Sequence, residues 1–425
     1  MRILILGSGA REHAIAWKIS AEIGRDNVFI APGNGGTELC GTNVDIGYMQ
    51  FDDLKNYCLA NDIDTVLPGS EEAIAAGVRD FFENSTDGKH IYVFSPDKHA
   101  GQLESSKAFA KEFMQKENIP TAAYQAFTKE SVDEGYAFLE SLESPYVLKA
   151  DGLAAGKGVL ILNDLEEAKT ELKSMLVDEK FGNASKQVVI EEFLDGIEFS
   201  VFALTDGEKY VLLPEAKDYK RIGEGDVGLN TGGMGAVSPV PFYTEELKRK
   251  TISQIVEPTI KGLGKQGLKF RGIVFFGLIV VNNDPFVIEY NVRMGDPETE
   301  VVIPRLDESL SQLIEDAKNG TLLSKTAKAK SGYATTVFAV SGGYPEAYEK
   351  GKEISIGIDS ETLFHAGTKR MDTSLVTNGG RVLAATCFGD SMRSALDASY
   401  ASIKGVNFDK KHYRADIGKD LEKYV

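Results

Sequence analysis

Three polar side chains suited to phosphate chemistry alternate along one apolar strand. Glu289, Asn291 and Arg293 are predicted to share a face, because strand side chains alternate between two sides, whereas Val287 and Tyr290 are expected in the core. Burying such polar groups without partners would cost on the order of 2–7 kcal/mol each. Carboxylate and amide oxygens suit Mg²⁺ that bridges ATP phosphates, and a guanidinium can stabilise a carboxylate or a phosphoryl group in transfer. A polar face open to solvent is the alternative.

A glycine-rich segment, 152–158, follows Lys149 and includes Gly156 and Lys157. It is not a Walker motif, because three residues separate its first two glycines and Gly158 stands where Ser or Thr is required. With a strand predicted on each side, the segment is interpreted as a hairpin whose backbone N–H groups cover phosphates as a lid. Lys149 would neutralise phosphate charge. The alternative is a purely structural turn.

The turn after the first strand, residues 7–12, nearly fits the dinucleotide fingerprint. Glu12 replaces its third glycine, and the second strand ends in 31–34 without the acid that binds a ribose diol, so NAD is not expected. The turn opens a helix whose N–H groups favour a smaller phosphate, and Arg11 could add charge. A structural turn with a solvated Arg11 is the alternative.

The predicted strand 188–194 leads out of a small α+β unit. Backbone groups at such a hinge could contact an adenine edge, and Glu198 follows closely enough to hold the ribose diol. An ordinary strand followed by a turn is the alternative interpretation.

Length and composition indicate a globular protein of several domains. The 425 residues correspond to about three domains of ordinary size. A net charge of -17 repels phosphate backbones and anionic membranes, so neither nucleic acid nor a membrane is an expected partner. Cys40, Cys58 and Cys387 are too far apart for a disulfide framework or a zinc site. Without a signal peptide or a long apolar run, a cytoplasmic location is expected.

The elements that position these residues follow from the hydrophobic pattern. In the first hundred residues, short apolar runs alternate with helical stretches, which predicts a parallel, doubly wound sheet. The predicted strands are 2–7, 27–33, 65–70 and 91–96, with helical spacing in 12–20 and 71–82. Ligands of such sheets bind where the strands end, and the glycine turns cluster there.

Further along, the pattern changes to a mixture of helices and antiparallel strands. Ser105 or Ser106 should cap a helix that Asn118 and Pro120 stop. Strands at 146–152, 159–162 and 187–194 flank a charged helix at 165–176. Residues 272–283 and 285–293 are predicted as a buried antiparallel pair. A later helix should place Leu306, Leu310, Leu313, Ile314 and Ala317 on one face and end at 319–320; residues 325–330 are interpreted as a linker before a strand-rich C-terminus.

The order of lid lysine, glycine-rich hairpin, acidic hinge and Glu-x-Asn-x-Arg strand resembles the ATP-grasp ligases. More narrowly, the chain resembles the glycinamide ribonucleotide synthetase (phosphoribosylamine–glycine ligase) family along nearly its whole length. The matching stretches are GSGAREHAIAWK (7–18), APGNGGT (31–37), QLESSKAFAKEF (102–113), VLKADGLAAGKGV (147–159), VIEEFLDG (189–196), NTGGMGAVSP (230–239), VIEYNVRMGDPETE (287–300), SGGYP (341–345), HAGTK (365–369), TNGGRVLAAT (377–386) and RADIG (414–418).

The resemblance implies an α/β and α+β multidomain fold. Its expected units are a Rossmann-like N-terminal domain at 1–101, a central ATP-grasp domain at 102–122 and 193–324, a lid at 123–192 and a small C-terminal domain at 325–425. It also implies ATP-dependent ligation of glycine to 5-phosphoribosylamine through a glycyl phosphate, in purine synthesis, with Mg²⁺ or Mn²⁺. Small-molecule substrates and a monomer are expected.

The resemblance also assigns roles to individual residues. Expected to bind ATP are Lys107, Lys149, Gly156, Lys157, Glu191, Glu192, Phe193, Leu194 and Glu198. Expected catalytic residues are Arg293, Lys149, Asp218 and Asp296, the two aspartates near the glycine amine. The phosphoribosylamine is expected against Gly9, Arg11, Asn34, Glu71, Lys220, Arg221 and Asn230. The expected metal ligands are Glu289 and Asn291.

Several positions depart from the family pattern. Tyr219 stands where the family usually has His, Leu229 where it has Pro, and Met294 where it has Phe, and Ser70 lies in a segment that usually contains proline. The acids and bases of the expected reaction are all present. An ATP-grasp ligase with another acyl donor, and a nucleotide-binding regulator without turnover, are the alternative functions.

Overall fold

The N-terminal region is a parallel sheet with helices between its strands. The computed structural model describes residues 1–152, 158–357 and 362–425. The elements are β1 (Ile3–Gly7), α1 (Ala10–Ile23), β2 (Val28–Pro32), β3 (Thr42–Asn43), α2 (Phe51–Ala60), β4 (Thr65–Pro68), α3 (Glu71–Ala76), α4 (Val78–Asn84) and β5 (Tyr92–Val93). The sheet order is β3-β2-β1-β4-β5, and every pairing is parallel. The predicted doubly wound sheet is therefore confirmed, although Gly77, with φ of 90°, divides the predicted helical stretch 71–82 into α3 and α4.

Two helices, α5 (Gln102–Ser105) and α6 (Lys107–Lys116), lead from this sheet toward the centre of the molecule. The Ser106 hydroxyl accepts a hydrogen bond from the Phe109 N–H at 3.1 Å, which caps α6 as predicted. Phe113 and Met114 lie on its buried face. The cap fixes where α6 begins, and thereby where Lys107 and Lys111 enter the molecule.

A four-stranded antiparallel sheet with two helices follows, which we call the lid. Its elements are β6 (Tyr124–Thr128), α7 (Val132–Ser141), β7 (Tyr146–Ala150), β8 (Val159–Leu162), α8 (Leu165–Leu176) and β9 (Gln187–Glu192), with the strand order β6-β9-β7-β8. Among the described residues, the apolar cluster of the lid draws only on residues 127–190. A separate core of this kind allows a unit to move as a body.

The central part of the chain builds a largely antiparallel sheet, and several of its strands belong to other sheets. Its elements are β10 (Ile197–Thr205), β11 (Tyr210–Leu212), β12 (Lys217–Asp218), β13 (Arg221–Gly223), β14 (Val227–Asn230), β15 (Gly235–Ser238), α9 (Glu245–Thr251), α10 (Glu257–Lys265), β16 (Gly272–Val281), β17 (Asp284–Asn291), α11 (Thr299–Arg305), α12 (Leu310–Asn319) and β18 (Lys325–Thr326). The sheet order is β17-β16-β10-β11-β18. The predicted β16–β17 pair is confirmed, and Asn282 and Asn283 turn between the strands with positive φ.

Two expectations for this region are wrong. Leu306 lies outside both helices, because its extended backbone ends α11, and the Ser309 hydroxyl then caps α12 as a separate helix. The predicted linker 325–330 is part of the packed structure: β18 pairs with β11, and the Lys330 N–H donates to the Arg305 carbonyl at 2.8 Å.

The C-terminal region forms an antiparallel sheet packed against one helix. Its elements are β19 (Tyr333–Val340), β20 (Ser355–Ile356), β21 (Leu363–His365), β22 (Thr368–Met371), β23 (Ser374–Thr377), β24 (Arg381–Gly389), α13 (Met392–Lys404) and β25 (Val406–Asn407). The main sheet has the order β12-β15-β19-β24-β21, so two strands from the middle of the chain complete it.

The N-terminal, central and C-terminal sheets share their apolar cores. One cluster of buried residues contains Ile3 of β1, Phe202 of β10 and Val302 of α11. Another joins Ala14 of α1 to Phe364 of β21. The residues between these sheets are therefore held by packing from several directions. No helix within the described ranges is long and apolar enough to cross a membrane.

Candidate active site

The end of β17 carries the predicted metal ligands. The register between β16 and β17 shifts at Gly277–Leu278, so Ile288 is an extra residue in the strand. This bulge lets Val287 and Tyr290 enter the same core while Glu289 and Asn291 lie on the other face, partly exposed. Within the described part of the chain, neither Glu289 nor Asn291 accepts a side-chain hydrogen bond, so their oxygens remain available to a ligand.

Arg293 lies two residues beyond the end of β17, so strand alternation does not position it. Instead, two carboxylates hold its guanidinium. Nη2 is 2.7 Å from Glu104 Oε1, and Nε is 3.6 Å from Glu71 Oε2. Glu104 also accepts a hydrogen bond from the Val292 N–H at 2.8 Å. Burial raises the pKa of Glu104 in spite of the neighbouring Arg293.

The hard oxygen donors of Glu289 and Asn291 fit a magnesium or manganese ion. No group of three His, Cys, Asp or Glu side chains in the described ranges could hold a metal by itself. One carboxylate and one amide would therefore need further oxygens, such as those of a nucleotide. Lys107 is close by and donates to the Gly152 carbonyl at 3.2 Å. Burial lowers the pKa of Lys107, although the Glu289 carboxylate opposes the shift.

Lys149 is buried on β7 and faces a carboxylate of the neighbouring strand. Its Nζ lies 2.9 Å from Glu191 Oε2, and Lys111 Nζ lies 3.1 Å from the same oxygen. Burial alone would raise the pKa of Glu191, but the two ammonium groups outweigh it and hold the pKa below its ordinary value. Burial lowers the pKa of Lys111 to about 8. Glu191 thus points into the protein, and only its backbone could contact a nucleotide base.

The rest of the predicted hinge lies at the surface. Glu192 Oε1 accepts a hydrogen bond from the Ala123 N–H at 2.8 Å. This bond joins the segment where the chain enters the lid to the segment where it leaves. Phe193 is 38% exposed, and Leu194 is half-buried. Two predicted ATP-binding residues, Gly156 and Lys157, lie outside the described residues.

Beyond the hinge, Glu198 and Asp218 face a shared lysine. Lys220 Nζ is 2.7 Å from Glu198 Oε2 and holds the pKa of that carboxylate below its ordinary value. Burial raises the pKa of Asp218, although Lys220 opposes the shift. Burial also raises the pKa of nearby Glu298 to about 8, and Asp218 adds to the shift. Asp218 and Glu298 therefore both have a raised affinity for protons, as Glu104 does.

The predicted loop residues Arg221 and Asn230 pair across the β13–β14 hairpin. Arg221 Nη1 donates to the Gly228 carbonyl at 2.8 Å, and Asn230 is exposed. The Arg221 carbonyl accepts a hydrogen bond from Arg414 at 3.1 Å. The hairpin therefore stands at the surface with its base attached to the C-terminal segment.

The turn after β1 meets the loop after β17. The Gly9 N–H donates to Glu12 Oε2 at 2.6 Å, and Arg11 Nε donates to the other carboxylate oxygen at 2.7 Å. Arg11 also donates to the Met294 carbonyl at 3.3 Å. A Cβ atom on Gly9 would lie 3.3 Å from Asp296 Oδ2. The structure thus brings the predicted Gly9, Arg11 and Asp296 together.

Asn34 is buried behind this turn, and the backbone occupies its amide. Nδ2 donates to the Ser8 carbonyl at 2.9 Å and to the His365 carbonyl at 2.7 Å, while Oδ1 accepts from Gly36 and Thr37. The side chain therefore connects the N-terminal turn to the C-terminal sheet.

Four charged residues of the site were not assigned roles from the sequence: Glu104, Lys111, Glu298 and Arg381. Lys111 lies one helical turn after Lys107, and that spacing could have revealed it. Glu104, Glu298 and Arg381 lie inside family stretches, but no local pattern shows that their side chains reach the site.

A lid sheet and a largely antiparallel central sheet, whose edge strand β17 carries Glu289 and Asn291, define an ATP-grasp protein. The residues 105–299 match the ATP-grasp domain of phosphoribosylglycinamide synthetase, 1–104 match its N domain and 334–420 its C domain. The chain belongs to the phosphoribosylglycinamide synthetase family.

The sequences of two named relatives match this chain along nearly its full length. Phosphoribosylamine–glycine ligase of Fusobacterium nucleatum is 41% identical, with 98% of each chain covered, and that of Chlorobaculum tepidum is 42% identical over 98% of this chain and 99% of the relative. The crystal structure of the Thermotoga maritima phosphoribosylamine–glycine ligase superposes with a TM-score of 0.86 at 36% identity. The match covers 98% of this chain and 100% of that one. Campylobacter jejuni biotin carboxylase shares the fold alone, with a TM-score of 0.74 at 15% identity over 96% of this chain and 92% of that one.

Proposed function

We propose that the protein joins glycine to 5-phosphoribosylamine, with ATP converted to ADP and phosphate, to form glycinamide ribonucleotide in purine synthesis. The observation that carries this proposal is the match of all three family domains along one chain. The proximity of Lys107 to Lys149 and Glu289 supports it, because these residue types suit the transfer of a phosphoryl group.

On the nucleotide side, the half-buried Lys107 and the buried Lys149 would bind the phosphates. Lys107 and Lys149 lie where the lid meets the central sheet, and the glycine-rich hairpin with Gly156 and Lys157 would close over them. The backbone from Glu191 to Leu194 would take the adenine. Glu198 would hold the ribose, in exchange for its ion pair with Lys220.

Glu289 and Asn291 would hold Mg²⁺ or Mn²⁺ together with phosphate oxygens. The bound ion would neutralise charge on the phosphates. The chain itself would orient the acceptor: Arg293, fixed by Glu104 and Glu71, would sit beside the glycine carboxylate and the phosphoryl group.

The reaction would proceed in two steps. A carboxylate oxygen of glycine attacks the terminal phosphorus of ATP, the bond to ADP breaks, and glycyl phosphate forms. The amine of phosphoribosylamine then attacks the carbonyl carbon, phosphate leaves, and the amine nitrogen loses a proton. Asp218 and Asp296 would bind the glycine ammonium group. The lid would exclude water, which otherwise hydrolyses the acyl phosphate.

The phosphoribosylamine would lie between the first glycine turn and the β13–β14 hairpin. Gly9 and Arg11 would receive its phosphate at the N-terminus of α1, and Glu71 would face the sugar. Asn34 would shape the turn through its backbone contacts. Lys220, Arg221 and Asn230 would close over the substrate from the hairpin.

We also propose that the enzyme acts in the cytoplasm as a monomer on small-molecule substrates. The three cysteines are free, and Cys40 and Cys58 are buried. Burial raises the pKa of Cys40 to about 11 and that of Cys58 to about 12, so both thiols stay protonated and unreactive. A reducing compartment suits such thiols.

The decisive experiment is a two-substrate assay with mass detection of the product. ADP, phosphate and glycinamide ribonucleotide should appear only when ATP, glycine and phosphoribosylamine are all present. Alanine, serine and β-alanine serve as competing carboxylates. Faster product formation with one of them would identify a different acyl donor, and nucleotide binding without turnover under every pair would contradict the proposal.

A further inference from the structure

The C-terminal sheet sends one arginine into the site. Arg381 begins β24, and its Nη1 donates to the Gly232 carbonyl at 2.6 Å and to the Asp296 carbonyl at 2.9 Å. The same nitrogen lies 2.9 Å from Asp296 Oδ1. The guanidinium stacks over the Phe338 ring at 4.7 Å, and its side chain is only 17% exposed. One cation therefore joins two loops of the central region to the C-terminal sheet.

The two loops are shaped to admit this cation. A Cβ atom on Gly232 would lie 3.0 Å from Arg381 Cζ, and one on Gly233, where φ is 114°, would overlap Pro297. The Gly232 N–H donates to the Tyr344 hydroxyl at 2.8 Å. The glycine pair of the stretch 230–239 thus permits the close approach of Arg381, and a second C-terminal residue holds the loop on its other side.

Charge balance makes Arg381 the partner of Asp296. Glu300 lies close to both and is fully buried, and within the described residues neither of its carboxyl oxygens has a hydrogen-bond partner. Burial raises the pKa of Glu300 well above its ordinary value, and Asp296 adds to the shift. Arg381 forms the ion pair with Asp296, and the charge of the nearby Arg11 also acts on Asp296.

The ion pair with Arg381 holds the Asp296 carboxylate, which can still accept further hydrogen bonds. Oδ1 has an ion pair with Arg381 but no hydrogen bond among the described residues. Oδ2 lies toward the turn at Gly9. A buried carboxylate with unused acceptor capacity suits a cationic amine, provided that a fixed cation behind it sets its direction.

We propose that Arg381 is a positioning residue of the ligase site, which holds the Asp296 carboxylate in place for the ammonium group of the amino-acid substrate. This inference rests on the proposed function. It gives the C-terminal region a part in substrate binding through Asp296. The nucleotide site lies with Lys107 and Lys149 and should not depend on Arg381.

The test compares Arg381→Gln and Arg381→Lys with the wild-type enzyme. Arg381→Gln should raise the KM for glycine by about tenfold or more, with the KM for ATP within about twofold. Arg381→Lys should recover part of the glycine affinity, because a lysine keeps the charge but cannot reach both loops. Arg393→Gln is the matched control, since Arg393 belongs to the same region and is 76% exposed; it should change neither KM.

A double-variant cycle separates positioning from a general structural role. If Arg381 acts through Asp296, Arg381→Gln should add little to the loss caused by Asp296→Asn. Additive losses, equal rises in both KM values, or an unchanged glycine KM in Arg381→Lys and Arg381→Gln would overturn the inference. If Arg381→Gln does not fold, Arg381→Lys decides the question.

The wild-type assay comes first and keeps the two proposals apart. Absence of the expected product from wild-type enzyme contradicts the proposed function. If another amino acid then proves to be the substrate, the same KM comparison with that amino acid tests Arg381. A normal wild-type reaction with an unaffected Arg381→Gln contradicts only the positioning role.

Discussion

Lys149 and Glu191 form a buried ion pair between neighbouring strands of the lid, with Nζ 2.9 Å from Oε2. Lys111 of α6 contacts the same oxygen at 3.1 Å, so the pair also joins the lid to the helix that carries Lys107. One carboxylate thus holds two cations next to the proposed phosphate site. This arrangement stores positive charge there before any nucleotide binds.

We predict that Glu191→Gln destabilises the protein strongly. Removing the carboxylate leaves two buried ammonium groups without a counter-charge, which costs about 3–5 kcal/mol. The urea midpoint should fall, and ATP should protect the variant more than it protects the wild type, because phosphates can replace the lost charge. Glu208→Gln, at an exposed position outside the lid, is the control. An equal shift of the midpoint in both variants would contradict the prediction.

We predict that Glu289→Gln and Asn291→Ala each lower kcat by about 100-fold. Both side chains are partly exposed, so the melting temperature should change little. Initial rates measured against Mg²⁺ and Mn²⁺ should show a raised metal requirement, and chelation should abolish wild-type turnover. Glu208→Gln, on an exposed turn, should leave the rates unchanged. Near-normal turnover in the double variant would show that the metal binds elsewhere.

Gly9→Ala should weaken the binding of phosphoribosylamine. The added Cβ would lie 2.9 Å from Glu12 Oε2, so that carboxylate must move and take Arg11 with it. The KM for phosphoribosylamine should rise, while the KM for ATP stays unchanged. Gly264→Ala is the control: nothing lies within 4 Å of its Cβ, and the exposed helical position should gain up to about 1 kcal/mol of stability. A Gly9→Ala enzyme with an ordinary KM would remove Gly9 from the phosphate site.

The contact between α1 and β21 should make the protein sensitive to acid. His13 Nδ1 accepts a hydrogen bond from the His365 N–H at 2.8 Å, which requires a neutral His13 ring. Burial lowers the pKa of His13 to about 3, and burial lowers that of His365 to about 4. The unfolded chain binds protons near pH 6.5, so stability is fully present above that pH and falls as the pH drops toward 4.

At pH 5 the loss relative to pH 7 should reach about 2 kcal/mol for each histidine. Urea unfolding at the two pH values measures it. His13→Gln should reduce the pH dependence, whereas His90→Gln, at an exposed position, should leave it unchanged. Identical pH dependence in His13→Gln and the wild type would refute the assignment.

Sequence patterns predicted the elements whose evidence is local. The spacing of apolar residues, with a period of 2 or 3.6, and the turn residues together predict three features. These are the parallel sheet of the N-terminal region, the capped helix α6 and the β16–β17 hairpin. The bulge at Ile288 is compatible with the predicted faces, since it separates Val287 from Glu289.

Long-range pairing was not predictable in the same way. The ion pair between Lys111 and Glu191, and the contact of Arg381 with Asp296, join residues 80 or more positions apart, and no periodic pattern connects such positions. The interpretation of 325–330 as a linker failed for a related reason: its lysines suggested solvent, but the backbone pairs with β11. The family resemblance assigns Asn34 to substrate binding, and no local pattern in the sequence predicts the backbone contacts that its amide makes.

The strand β15 has its partner, β19, about a hundred residues later in the chain, while β18 returns to the central sheet. If the gene were divided between these strands, each of the two protein fragments would have an unpaired strand edge. Neither fragment alone could supply the missing partner strand. Recombination inside this interval should be selected against. Members of the family are therefore expected to inherit the central and C-terminal regions together.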